Sequence, residues 1–147
     1  MKLTFDKDNR KMDKKIDLNK YAEFVDGVTS KASTDLETFI ARVRELDAAG
    51  MDVPRSLTAG IGLASEGGEF DEIVKKIVFH GKEYNEDNIF HMKRELGDIA
   101  WYWTNACIAL GIDPNEVIAE NVRKLEERYP GGKFSVWHSE NRREGDL

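Results

Sequence analysis

Apolar residues recur along this chain with a helical period from Asp17 onward, and no stretch alternates in the manner of a strand before the tail. Tyr21, Phe24, Val25 and Val28 follow the i, i+3, i+4, i+7 rule behind Asp17, a ready helix cap. The polar segment Thr29 to Ser33 breaks that pattern. Thr34-Asp35-Leu36-Glu37 then reads as a capping box ahead of a second stripe of Leu36, Phe39, Ile40, Val43 and Leu46, closed by Gly50. A long central helix opens at Asp52-Val53-Pro54, with proline in the first turn where its missing N–H does no harm, and stops at Gly81. Asn85-Glu86-Asp87-Asn88 starts the next helix, which runs through Trp101-Tyr102-Trp103 to Gly111. Asp113-Pro114-Asn115-Glu116 starts another, which ends near Tyr129-Pro130. The pattern predicts an all-α bundle of four to five helices. Residues 1–16 form a polar arm without period and are expected to be flexible, residues 17–130 carry the helical domain, and residues 131–147 form an aromatic tail.

Two carboxylate pairs interrupt the apolar faces. At about 100° per residue, Ala59, Leu63, Phe70, Ile73 and Ile77 share a sector with Glu66, and Glu69 sits on its flank. Met92, Ile99, Tyr102, Ala106 and Leu110 share one with Glu95, and Asp98 is again one step aside. In a chain that is 34% charged, a single E-x-x-E is ordinarily a solvated helix face. Two copies on apolar faces, a helical hairpin apart, are more specific, because converging carboxylates out of water repel one another and lose hydration. Divalent cations remove both objections, and hard carboxylate oxygens suit Mg²⁺ or Mn²⁺. Carboxylates on facing helices are an established way to hold metal within a bundle.

Composition narrows the options. At 147 residues the chain is one domain's worth. A net charge of −6 argues against nucleic-acid or anionic-membrane partners, which need a basic surface. The single cysteine, Cys107, is expected to pack as a small apolar group in a reducing compartment. No apolar leader or membrane span is evident in the sequence, so the expected location is cytoplasmic.

A hard-metal cluster without a Ser, Cys or His nucleophile constellation suits phosphate chemistry, in which cations neutralise phosphate oxygens and activate water. Asn121, Lys124 and Arg128 share one sector of the helix that starts at Asp113, and the last two are spaced i, i+4 to reach one anion. They could equally form a solvated edge pairing with Glu120 or Glu127. Lys76 lies two turns beyond Glu69 on nearly the same flank and adds a further phosphate contact, whereas Lys75 points elsewhere. His80, His91 and His138 lack metal-ligand spacing, and the missing Glu-x-x-His pairs count against a di-iron bundle. No Walker loop occurs, and Gly67-Gly68, inside a helix, is read as a place of close helix approach. A second apolar strip on the central helix, Ile61, Ala64, Gly68 and Phe79, predicts packing on two sides, most simply between subunits. Phe134, Val136 and Trp137 make the tail too aromatic for a free end and predict that it docks, on a neighbour for instance.

The stretches GIGLASEGGEFDEIVKKIVFHGK, ELGDIAWYW and GIDPNEVIAENVRKLEERYPGGKF, in that order, resemble the MazG-like all-α nucleoside triphosphate pyrophosphohydrolases over roughly residues 50 to 134. Phosphoribosyl-ATP pyrophosphohydrolases and dimeric dUTPases share the acidic helix pairs, but the long N-terminal arm and the K-x-x-x-R-Y-P ending fit the MazG-like group better. The resemblance implies Mg²⁺-dependent hydrolysis of (deoxy)nucleoside triphosphates between the α and β phosphates, yielding a monophosphate and pyrophosphate, for nucleotide pool control or house-cleaning. It also implies a homodimer or homotetramer around a four-helix bundle. Glu66, Glu69, Glu95 and Asp98 match the metal ligands, one of which would help orient or deprotonate the attacking water. Asn121, Lys124 and Arg128 match phosphate-binding or supporting positions, and Tyr102, one turn beyond Asp98, is the candidate for stacking on the base. The alternative in a different class is a slow or non-catalytic regulator that binds a nucleotide or alarmone through the same metal site.

Overall fold

The computed structural model describes residues 16–141. The polar arm, apart from Ile16, and the last six residues lie outside the described part. Seven helices and no strand occur among the described residues: α1 (Leu18–Val28), α2 (Lys31–Thr34), α3 (Leu36–Ala48), α4 (Val53–His80), α5 (Glu86–Leu110), α6 (Pro114–Arg128) and α7 (Val136–Glu140). The all-α expectation holds, and the five longer helices are those the periodicity predicts. None of the helices among the described residues is long and apolar enough to cross a membrane.

The chain divides into two compact units, one up to Glu45 and one from Leu46. In the first, Asp17 caps α1 by accepting hydrogen bonds from the backbone N–H groups of Asn19 and Lys20. The polar break is not wholly irregular, because Lys31–Thr34 closes one helical turn. Four residues are too few to show a period. The cap of α3 also differs from the expected capping box. Asp35, not Thr34, accepts from the Thr38 backbone N–H at 2.8 Å and from its hydroxyl, while the Thr34 hydroxyl donates backward to the carbonyls of Ser30 and Lys31. The hydrogen bonds from the Thr38 hydroxyl and backbone N–H hold the Asp35 carboxyl below the usual range.

The second unit is built on α4 and α5, its extensive helix pair. Asp52 accepts from the Arg55 backbone N–H at 3.1 Å, and Pro54 occupies the first turn. Gly81, at φ 70°, ends α4 in the left-handed conformation that glycine adopts without strain. Asn85 caps α5 by accepting from the Asn88 N–H, and Asn88, buried, donates its side-chain amide to the Glu83 carbonyl at 2.6 Å. These bonds fix the short link that turns α5 back along α4. Further along, the Arg55 guanidinium donates to the Asn105 side-chain oxygen at 3.0 Å and to the Asp52 carboxylate at 3.2 Å. The seam between the two helices is narrow: Val53, Ala59 and Gly62 on α4 and Cys107 on α5 are its buried apolar positions. Asp113 starts α6 by accepting from the Asn115 N–H. Helix α6 packs extensively on neither α4 nor α5. The tail places Phe134 beside Tyr129, ring centroids 5.9 Å apart, before the single turn of α7.

Candidate metal and phosphate site

The helical arithmetic that places the acids inward is met by Glu66 and Glu95, which are half-buried, while their partners Glu69 and Asp98 are exposed. One carboxylate oxygen from each of Glu66, Glu69 and Glu95 lies within 4.8 Å of the other two. Asp98 is outside that tight set but close enough for its charge to act on Glu66. The Glu66 carboxyl is pushed above the ordinary glutamate range. Loss of water is the largest cause, followed by the negative charges of Glu69, Asp98 and Glu95 and by a hydrogen bond with Glu95. Glu66 is thus the focus of an uncompensated cluster. Such a donor set, all oxygen and all anionic, fits a hard divalent cation.

The cationic candidates are placed differently. Lys76 lies 3.3 Å from Glu72, which Lys75 also approaches at 3.9 Å. The two lysines hold Glu72 below the usual carboxylate range. Lys76 therefore points to a neighbour on its own helix and is not gathered with the acids. Asn121, Lys124 and Arg128 lie along α6, with Asn121 exposed and the other two half-buried. Helix α6, which carries them, packs extensively on neither helix of the α4–α5 hairpin. Glu120, considered as a partner for the basic edge, pairs instead with Arg123. On an adjoining face of α6, Val122, Leu125 and Tyr129 line with Phe134 an open apolar groove of about 320 Å³.

Tyr102 is half-buried and packs edge-on to Trp101, centroids 4.8 Å apart. Its ring lies against Gly62. This is where the hairpin helices approach closely. At Gly67 and Gly68, where close approach was expected, nothing lies within 4 Å of the position a Cβ would take, so within the chain those glycines face open space. Periodicity could have flagged Gly62, since it precedes Glu66 by one turn in the same apolar sector. Cys107 is buried as expected, and His80 and His91 are exposed.

A family model described as MazG nucleotide pyrophosphohydrolase domain matches residues 55–132, which include both acidic pairs, most of α4 and all of α5 and α6. Comparison with curated proteins and with solved structures gives no match.

Proposed function

The chain belongs to the MazG nucleotide pyrophosphohydrolase domain family, and from that premise we propose that it hydrolyses (deoxy)nucleoside triphosphates at the α–β phosphate bond, releasing a nucleoside monophosphate and pyrophosphate. The observation that carries this reading is the approach of Glu66, Glu69 and Glu95 oxygens to within 4.8 Å of one another on facing helices. No net gain comes from holding such anions together unless a cation joins them.

In this reading Glu66, Glu69, Glu95 and Asp98 hold Mg²⁺ or Mn²⁺, which when bound supplies charge neutralisation at the phosphates and acidifies a water. One of these four carboxylates takes up a proton from the attacking water. Asn121, Lys124 and Arg128 grip the outer phosphates. Lys76 joins them by leaving Glu72, since an exposed ion pair is worth at most about 1 kcal/mol. Tyr102 offers the base the ring face turned away from Gly62. Because α6 packs extensively on neither helix of the hairpin of its own chain, the phosphate grip and the acids come together in a homo-oligomer in this reading, with α6 of one copy serving the acids of another.

Reaction in ¹⁸O-labelled water with a panel of nucleoside triphosphates is the test. Label is expected in the nucleoside monophosphate, with pyrophosphate unlabelled. Exhaustive chelation should abolish turnover, and Mg²⁺ or Mn²⁺ should restore it. Label in orthophosphate would make this a different hydrolase, and tight nucleotide binding without products would favour the regulator.

A further inference from the structure

Glu66 follows Gly62 by one turn of α4, and Asp98 precedes Tyr102 by one turn of α5. Each pair is stacked on one helix face, about 5–6 Å apart along the axis. In an antiparallel hairpin, the level at which Gly62 meets Tyr102 is therefore next to the level of the acids. An ideal Cβ at Gly62 would sit 2.2 Å from Cδ1 and Cε1 of Tyr102 and 2.5 Å from its Cγ. The aromatic ring thus fills the space that any other residue at 62 would use for its own side chain. Trp101 supports that ring edge-on, at an interplanar angle of 85°.

We propose that Tyr102, seated on the Gly62 backbone, is a positioning residue that sets the separation of α4 and α5 at the carboxylate level and thereby the affinity of Glu66, Glu69 and Glu95 for a divalent cation. The proposal rests on the reading of those acids as a cation site. Its physical basis is a conflict of distances. Mg²⁺ takes oxygens at about 2.1 Å and tolerates little departure from its geometry, whereas like-charged carboxylates on facing helices push them apart. A rigid ring wedged one turn away holds a spacing that neither force sets by itself. Glycine lets the ring sit low; a methyl group at 62 would lift it, and a smaller side chain at 102 would leave the seam underfilled.

Mn²⁺ binding to the full chain, measured by calorimetry and by electron paramagnetic resonance without nucleotide, tests this separately from turnover. Gly62→Ala should weaken Mn²⁺ binding about tenfold with helical circular dichroism retained, and Tyr102→Leu should also weaken it. The combined variant should return to within about threefold of wild type, because the new methyl fills volume that the ring vacates. Gly60→Ala adds the same methyl where nothing lies within 4 Å, and should bind as wild type does. Wild-type affinity in both Gly62→Ala and Tyr102→Leu would overturn the proposal, as would a combined variant as weak as the two losses added. Should Gly62→Ala not fold, Tyr102→Leu carries the test. Failure of the wild type to take up Mn²⁺ removes the cation reading and this proposal with it, whereas a binding wild type with insensitive variants removes this proposal alone.

Discussion

At the residue scale the informative group is Glu66, whose pKa is raised chiefly by loss of water and then by three carboxylate neighbours. A group that holds its proton more tightly in the fold than in the unfolded chain stabilises the fold while protonated. That contribution is full below the unfolded pKa and is lost as pH rises through the folded one. Between the ordinary glutamate range and neutrality, Glu66 should therefore subtract stability from the metal-free protein. Glu72 and Asp35, whose pKa values are lowered, act in the opposite sense, so the sign must be read from a difference. The metal-free Glu66→Gln variant should have a higher Tm than wild type at pH 7, and the gap should close as pH falls below the glutamate range. Saturating Mg²⁺ should raise the Tm of wild type more than that of the variant. Parallel Tm curves against pH would mean that the cluster does not act on Glu66. The faces of the acids are legible in the sequence because a fixed angle per residue places Glu66 and Glu95 inward. What sequence does not reveal is the outward lean of Glu69 and Asp98 or the pairing of Lys76 with Glu72. Those depend on which neighbour a long side chain reaches, and several lie equally near in sequence.

Helix ends were the most legible part at the scale of elements, since each is fixed by a local group: Asp17, Asp52, Asn85 and Asp113 at the starts, Gly81 and Gly111 at the stops. Thr34 and Asp35 are adjacent cap candidates, and the choice between them turns on which oxygen meets the Thr38 N–H. The site of closest helix approach was less legible. Periodicity says which face of α4 turns inward but not which α5 residue it meets, so the adjacent pair Gly67-Gly68 suggests a close approach that Gly62, beneath Tyr102, makes instead. That pairing requires the register, which the link at Gly81 to Asn85 and the Arg55–Asn105 hydrogen bond hold in place. Asp52 serves the register twice, as the α4 cap and as the partner of the Arg55 guanidinium. Asp52→Ala should lower stability by about 1–2 kcal/mol, the usual cost of a lost cap with a small addition for the freed arginine. Urea unfolding monitored by circular dichroism measures it. A loss below a few tenths of a kcal/mol would show that the cap and its arginine contribute nothing to the hairpin.

The scale of the whole molecule is where the chain's own packing falls short of its apolar content. The α4–α5 seam buries few side chains, while Ile61 and Phe79 on the second strip of α4 are 68% and 77% exposed, Trp101 on α5 is 56% exposed, and Phe134 and Trp137 in the tail are open to solvent as well. Scattered exposed apolar residues are ordinary, but a large aromatic and aliphatic set on paired helices marks a surface meant to be covered. The proposed homo-oligomer would cover it with a second copy of the chain and would also give α6, which packs extensively on neither helix of its own hairpin, acids to serve. Sedimentation at micromolar concentration should show a dimer or tetramer. Burying Ile61 and Phe79 should each contribute about 1.5–3 kcal/mol, so Ile61→Asp with Phe79→Asp should raise the dissociation constant of the assembly at least about a hundredfold. Neither residue belongs to the proposed metal or phosphate site, so turnover should fall in step with dissociation and return at high protein concentration. A variant that sediments as a monomer and keeps full turnover would show that each chain completes its own site. In that case α6 would have to close onto its own hairpin when substrate binds.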